Sequence, residues 1–181
     1  MALMFLMSEI FLFSNESESN FYKTSEIIIS GNSLSGFTLV SKEKTGIQFQ
    51  NDLPLEKSLS NQVYLNGSGV AMGDVNNDGL CDIYLCRLDG SNHLYLNKGG
   101  WRFNEVAEDF GVDCSEIDST GASFADLDGD NDLDLIVNSV NSETRLFRND
   151  GDKFKQIYLE PKNTSIAGGT SIAIADIDGN G

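Results

Sequence analysis

Three short segments of this sequence place acidic and amide side chains at alternating positions. The first segment runs from Asp74 to Asp82, the second from Asp126 to Asp134, and the third begins at Asp176. We call them loops one, two and three. Carboxylate and amide oxygens are hard ligands, and Ca²⁺ takes about six to eight of them at close range. A tight loop with such side chains at alternate positions is therefore expected to direct them to one centre and to bind Ca²⁺.

Counted from the first aspartate, the three loops offer the same pattern of ligands. Positions one, three, five and nine carry side-chain oxygens, position seven offers a backbone carbonyl, and position six permits a sharp turn. The predicted Ca²⁺ ligands are Asp74, Asn76, Asp78, the carbonyl of Leu80 and Asp82 in loop one, Asp126, Asp128, Asp130, the carbonyl of Asp132 and Asp134 in loop two, and Asp176, Asp178 and Asn180 in loop three. Asn131 stands at position six of loop two, where Asn tolerates the left-handed conformation.

This pattern differs from the EF-hand, and ordinary turns offer a competing explanation. An EF-hand needs a bidentate Glu at position twelve, where these loops carry Leu85 and Val137. The ninth-position Asp is expected to act in place of that Glu, in a loop that joins two strands. Asp, Asn and Gly also populate plain turns, but close carboxylates without a cation repel by about 1 kcal/mol per pair even in water. Acidic clusters repeated at a fixed period therefore favour a bound ion.

The loops recur because the sequence itself repeats. Their first aspartates are 52 and then 50 residues apart, Tyr95 aligns with Phe147, and Asn97 aligns with Asn149. Short β-prone runs and turns alternate within each repeat, and helical periodicity is absent apart from a turn near Val106. Four short strands per repeat are typical of a β-propeller blade. The predicted fold class is all-β, with about three blades of four antiparallel strands, the last incomplete.

The repeats set the predicted boundaries of the propeller. It is expected over residues 37–181, with repeats at about 61–112, 113–160 and 161–181. The segment 37–49 parallels 103–112 and is expected to form a strand that completes the final blade of a ring. Trp101, Phe103, Tyr95 and Phe147 are expected to pack between blades. A closed ring needs about 200 to 400 residues at this repeat length, so the chain is interpreted as an N-terminal fragment.

The N-terminal segment differs in composition from the repeats. Residues 1–20 are interpreted as a signal peptide or an unstructured N-terminus, because an apolar run over 1–13 is followed by a polar stretch. That run is too short to span a bilayer. Residues 21–36 are interpreted as a linker or leading segment. Cys81, Cys86 and Cys114 form neither a zinc motif nor an even disulfide set, and they are expected to be free core thiols.

The repeated motifs resemble a known family. They are Gly69-Val-Ala-Met-Gly-Asp-Val-Asn-Asn-Asp-Gly, Leu94-Tyr-Leu-Asn-Lys-Gly and Phe103-Asn-Glu-Val, each with a second copy. They are similar to the FG-GAP or VCBS repeats of integrin-alpha-like β-propellers, and most closely to the cartilage-acidic-protein group that an ASPIC/UnbV domain often follows. The resemblance implies an exported, closed propeller with Ca²⁺ as a structural ion and a role in adhesion or recognition.

Charge and residue content narrow the classes of function. The formal charge is -16, from 28 acidic and 12 basic residues, which disfavours nucleic acid and anionic membranes as partners. Ten of the acids lie in the three loops, where they favour cations. The chain is expected not to be an enzyme, since its one histidine, His93, aligns with Arg145 at an exposed strand position.

A protein or glycan outside the cell or at its surface is the expected partner. Loops of this kind are expected to have moderate affinity and to be filled where Ca²⁺ is millimolar, which favours a secreted or extracellular location. Two alternatives stay open at this point. The chain could be the scaffold part of a larger secreted enzyme whose active site lies elsewhere, or a purely structural repeat of a surface protein.

Overall fold

The computed structural model describes residues 37–158 and 168–177. The chain divides into two units, Met1–Thr38 and Leu39–Gly181, and every element below belongs to the second. The predicted signal peptide at 1–20 and linker at 21–36 lie outside the described residues, as do Asp178 and Asn180 of loop three. Within the part of the chain that the structure describes, no helix is long and apolar enough to cross a membrane.

The described residues form two four-stranded antiparallel sheets, each a meander in chain order. The strands of the first blade are β1 Val70–Gly73, β2 Asp82–Leu85, β3 His93–Asn97 and β4 Phe103–Glu105, and those of the second are β5 Ser119–Ala125, β6 Asp134–Ser139, β7 Arg145–Asn149 and β8 Phe154–Ile157. The helical elements are short: α1 Lys42–Thr45, α2 Leu55–Ser60, a 3₁₀ turn Gln62–Asn66 and α3 Ala107–Phe110. The predicted all-β fold with blades of four strands is confirmed.

The register of the two sheets repeats, and this places loops one and two identically. Met72 pairs with Ile83 in the first blade, and Phe124 pairs with Leu135 in the second. Each pair lies one residue from the ends of the two innermost strands, where loops one and two begin and end. The ladder of the two inner strands therefore holds the first and ninth positions of each loop at the same end of its sheet.

The two blades pack face to face, and the side chains that alternate along each strand form the core. Ala71, Tyr84 and Leu94 of the first blade meet Leu135 and Val137 of the second, and all five are buried. The Tyr84 ring contacts the Phe124 ring edge-on, with centroids 6.3 Å apart. Burial of apolar side chains between two sheets is the main stabilising term for blades of this size.

The opposite face of the first blade is only partly covered. Its inner positions Val70 and Met72 are 54% and 63% exposed, whereas the equivalent Ala122 and Phe124 pack against the core between the blades. The outer half of the same face is closed, since Tyr95 is 2% exposed. The two blades share the same alternation of apolar side chains, and these side chains are buried only where a neighbouring element lies against them.

The segment that covers this outer half corrects a prediction. Residues 37–49 were expected to form a strand, but they contain only α1 and no strand. A strand needs a hydrogen-bonded ladder with a neighbour, and among the described residues no strand pairs with this segment. The predicted parallel with 103–112 holds nevertheless, because a Cβ on Gly46 would meet the carbonyl oxygen of Phe103, and one on Gly111 would meet that of Phe154.

The third repeat is represented by residues 168–177, which contain no strand. A blade's first strand pairs with its second strand, and no second strand of this repeat lies within the described residues. The start of the segment nevertheless lies beside the second blade: the Thr120 hydroxyl donates to the carbonyl oxygen of Gly169, and Asn138 Nδ2 donates to that of Ser171 at 2.9 Å. The described residues thus hold two complete blades.

Two aromatic assignments made from the sequence need correction. Trp101 was expected to pack between blades, but it lies in the turn between β3 and β4 with φ of 64° and is 62% exposed. A tight turn directs its side chain to solvent, whereas Tyr95 and Phe147 on strands are buried as expected. His93 is half-buried rather than exposed, because its ring stacks on Tyr95 at 5.7 Å and meets the edge of Phe49.

The cysteines are free, and two of the three are core residues as predicted. Cys86 and Cys114 are buried, whereas Cys81 in loop one is exposed. Burial, together with the neighbouring Cys114, raises the pKa of the Cys86 thiol to about 12. Burial also raises the pKa of the Cys114 thiol to about 11.

These thiols should differ sharply in reactivity, because the thiolate is the nucleophile. We expect Ellman's reagent to modify Cys81 readily in the folded chain and to reach Cys86 and Cys114 only on unfolding. Absorbance at neutral pH would then report about one thiol before denaturant and three after it. Rapid reaction of all three in the folded chain would contradict the burial described above.

Gly69 and Gly121 occupy equivalent positions in the two repeats, and the space around them shows how closely neighbouring segments approach. A Cβ on Gly69 would lie 2.7 Å from Cα of Gly121, whereas a Cβ on Gly121 would lie 3.5 Å from the carbonyl oxygen of Thr170. We expect Gly69→Ala to lower the free energy of unfolding by about 1–3 kcal/mol, because backbone must move. The matched Gly121→Ala should lower it by less than about 1 kcal/mol. Urea unfolding measures both, and equal effects would show that the approach at Gly69 does not matter.

Candidate metal centre

Loops one and two turn through the same two left-handed positions. In loop one, position four is Asn77 with φ of 56° and position six is Gly79 with φ of 83°. In loop two the residue types are exchanged, with Gly129 at 81° and Asn131 at 70°. Asn and Gly are the residues that adopt this conformation most readily. The predicted left-handed conformation of Asn131 is therefore confirmed.

The first-position carboxylate of each loop shapes the turn by accepting backbone N–H groups. Asp74 accepts from Asp78 at 3.0 Å and from Gly79 at 2.7 Å. Asp126 accepts from Gly129 at 2.7 Å and from Asn131 at 3.0 Å. These bonds wrap the chain around one carboxylate. The following alternate side chains are then held close to it.

Three carboxylates of loop two converge. Oxygens of Asp126, Asp128 and Asp130 all lie within 4.8 Å of one another, and all three residues are exposed. Partial desolvation and the charges of Asp130 and Asp134 raise the pKa of Asp128. In loop one the third-position residue is an amide: Asn76 Nδ2 donates to Asp78 Oδ2 at 3.1 Å, and Asn76 Oδ1 accepts from the N–H of Asp78 at 3.2 Å.

The ninth-position aspartates differ from the others because they are buried and doubly hydrogen-bonded. Asp82 is 0% exposed and accepts N–H groups from Val75 at 3.0 Å and from Asn97 at 2.7 Å. Desolvation raises the pKa of Asp82; these two bonds oppose that shift, while the charges of Asp78 and Asp74 add to it. Asp134 is 1% exposed and accepts from Leu127 and Asn149 in the same way. Each of these two aspartates therefore connects its loop to the sheet. It does so whether or not its remaining lone pairs also bind an ion.

The sequence analysis missed two asparagines that work with these aspartates. Asn97 donates its N–H to Asp82 and its amide to the carbonyl oxygen of Cys81 at 3.0 Å. Asn149 donates its N–H to Asp134 and its amide to the carbonyl oxygen of Leu133 at 3.2 Å. The signal was present, because each Asn follows its Asp by 15 residues in both repeats.

Loop three is described only at its start. Asp176 lies within the described residues and is exposed, whereas Asp178 and Asn180 lie outside them. The structure therefore brings together Asp126, Asp128 and Asp130 of loop two, and hydrogen bonds link Asp74, Asn76 and Asp78 of loop one. The convergence of the third set stays a prediction.

The residues present fit a hard dication by the chemistry of their donors. Loop two offers three converging exposed carboxylates, and loop one offers two carboxylates and an amide in the same order. Each of these side chains offers an oxygen atom, which for Asn76 is the amide oxygen, and Ca²⁺ binds oxygen ligands in flexible geometry. Asp74, Asn76 and Asp78 would hold the ion in loop one, and Asp126, Asp128 and Asp130 would hold it in loop two.

Repeated blades with such loops define a class of propeller proteins, and comparison with known proteins agrees. The chain belongs to the FG-GAP-like repeat family, which matches residues 74–137 and 126–181. These matches cover more than half of the 181 residues and include all three loops. The predicted grouping is confirmed.

Cartilage acidic proteins are among the relatives that this chain matches. Cartilage acidic protein 1 of Xenopus tropicalis is 33% identical over 84 residues, which cover 46% of this chain and 13% of the relative. The Homo sapiens protein is 29% identical over 102 residues, with coverages of 56% and 15%. The Mus musculus protein is 31% identical over 137 residues, with coverages of 64% and 20%. The chain thus matches at most a fifth of these relatives' length, and the family and relatives together indicate an extracellular repeat module.

The buried aspartates should stabilise the fold without any ion. We expect Asp134→Ala, measured in chelator, to lower the free energy of unfolding by about 2–5 kcal/mol, because two buried N–H groups lose their acceptor. Asp128→Ala is the matched control in the same loop. Its exposed carboxylate is one of several like charges, so its removal should leave stability in chelator unchanged or slightly higher. Equal destabilisation by both variants in urea unfolding would contradict this division of roles.

Proposed function

We propose that this chain is a calcium-binding repeat module in which the ion holds acidic loops closed and stabilises the blades. The observation that carries the proposal is the convergence of Asp126, Asp128 and Asp130 within 4.8 Å in an exposed loop. Carboxylates this close repel one another unless a cation neutralises them. In the neighbouring repeat, the carboxylate of Asp74 accepts the N–H of Asp78, and this similar turn supports a structural role that recurs with the blades.

We propose an extracellular location on the same grounds. The carboxylates of loop two are exposed, and position twelve carries Val137 within β6 instead of a bidentate Glu. A site of this kind is expected to have a Kd on the order of 10⁻⁴ to 10⁻³ M. It would be filled at the millimolar Ca²⁺ outside cells and largely free of ion in cytosol.

The proposed role is non-catalytic recognition of a protein or a glycan. Its support is the set of side-chain bonds at the ends of the strands opposite the loops. Lys57 of α2 contacts Asp118 at 2.5 Å and Asp89 at 2.8 Å, and the Tyr64 hydroxyl donates to Asp118 at 2.6 Å. These bonds fasten the helical segment before β1 onto connections of both blades. Calcium-dependent retention on arrays of glycans and matrix proteins tests this role.

Calcium titration by calorimetry tests the metal site, together with thermal melts in Ca²⁺ and in chelator. We expect the full chain to bind near-stoichiometrically at loops one and two and to melt at higher temperature in Ca²⁺. Each site should add about 1.8 kcal/mol at a free Ca²⁺ of roughly twenty times Kd. Asp126→Ala/Asp130→Ala should lose one site and part of the increase in melting temperature.

The matched control is Asp109→Ala/Asp113→Ala, which removes two acids outside the loops and the same net charge. It should keep both sites and the full increase in melting temperature. Absence of binding by a chain that is folded in chelator would refute the proposed calcium site. A loss of binding in both double variants would instead attribute the effect to net charge.

A further inference from the structure

Two hydrogen bonds join loop one of the first blade to the second blade, one of them at loop two and the other at Asn149, which ends β7. Asn77 Nδ2 donates to Asp132 Oδ1 at 2.6 Å. Asn149 Nδ2 donates to the carbonyl oxygen of Val75 at 2.7 Å. Asp132 offers the position-seven carbonyl of loop two, and Val75 follows the first aspartate of loop one. The first bond therefore ties loop one to the side chain of the residue that offers the position-seven carbonyl of loop two. The second ties the backbone of loop one to Asn149, whose amide also bonds to Leu133 of loop two.

Asn149 is the more deeply placed of the two links. Asn149 is 2% exposed, and its side-chain amide donates hydrogen bonds to the carbonyl oxygens of Val75 in loop one and Leu133 in loop two. Its backbone N–H is held by Asp134 of loop two. Asn97 makes the equivalent bonds to Cys81 and Asp82 within the first blade. The bond to Val75 is thus an addition to a repeated motif, and it crosses between blades.

Both backbone polar groups of Val75 are consequently held by side chains that lie beyond the tight turn of loop one. The N–H of Val75 donates to Asp82, and its carbonyl oxygen accepts from Asn149. Asn77 sits two residues further on with φ of 56° and makes the second contact with loop two. An ion that orders loop one therefore also fixes the partners of Asp132 and Asn149. The second ion then binds to a loop whose backbone is already ordered, so its binding costs less conformational entropy.

We propose that Ca²⁺ binding to loops one and two is positively coupled, with Asn77 and Asn149 as the positioning residues. This inference rests on the proposed calcium site and adds its regulation. Coupling between two binding sites is reciprocal, so each loop raises the affinity of the other by the same factor. Electrostatics act in the opposite sense, because an ion in one loop weakens the attraction for a second. That effect is screened over about 8 Å at physiological ionic strength.

Calorimetric Ca²⁺ titrations of the full chain at physiological ionic strength measure the coupling. All proteins carry Asp176→Ala, so that loop three does not contribute. The Kd of loop one is compared with loop two intact and with loop two disabled by Asp126→Ala/Asp130→Ala. We expect the Kd to rise about fivefold or more when loop two is disabled. The reciprocal comparison, with loop one disabled by Asp74→Ala/Asp78→Ala, should give the same factor.

Asn77→Gly isolates the exposed link. Glycine keeps the left-handed conformation, as Gly129 does at the same position of loop two, but removes the amide that reaches Asp132. We expect the coupling factor to fall at least by half, with the remainder carried by Asn149. The matched control is Asn131→Gly, at position six of loop two, where the backbone N–H makes the bond to Asp126. It should leave the factor unchanged.

The outcomes separate this inference from the proposed function. No Ca²⁺ binding at either loop of a folded chain overturns the proposed function and the coupling together. Binding at both loops with a factor of one, or below one, overturns the coupling and leaves the calcium site intact. An equal fall in Asn77→Gly and Asn131→Gly overturns the role of Asn77, because added backbone flexibility would then explain both.

Discussion

The buried carboxylate at the start of each blade's second strand is the interaction on which the rest of this structure depends. Asp82 and Asp134 each bring a charge into a place where water is excluded, and each is compensated by two backbone N–H groups. One N–H comes from the acidic loop and the other from the end of the third strand. A single side chain therefore connects the loop, the inner ladder and the outer turn, and removing it would leave buried donors without an acceptor.

This arrangement separates two roles that the sequence gives to one residue type. In loop two, the exposed aspartates at positions one, three and five carry charges that repel and that a cation would neutralise. The buried aspartate at position nine organises backbone and holds those charges in place. The loop closes partly on its own hydrogen bonds, which hold the ligand positions close together. Such pre-organisation lowers the entropy that binding must overcome.

The blades are connected by two kinds of contact that act at different depths. Apolar side chains fill the space between the sheets, and the close approach of Gly69 to Gly121 lets the inner strands come together. At the loop end, Asn149 and Asn77 carry hydrogen bonds from one blade to the next. A repeat protein built this way gains stability from its interfaces as well as from each unit. The open face at Val70 and Met72 shows the same pattern without a neighbour.

The sequence by itself determined the elements that depend on local chemistry. The repeat period, the strand runs, the left-handed Asn131 and the alternating oxygen-bearing side chains of the loops all follow from residue type and spacing, which act over a few residues. Contacts between distant residues were decided only by the tertiary structure. Trp101 is exposed, and residues 37–49 form no strand. Asp82 is buried and holds its loop to the sheet, and Asn149 donates a hydrogen bond to Val75, which is 74 residues away in the sequence. Burial and hydrogen-bond partners depend on which surfaces meet, and a one-dimensional pattern does not specify that.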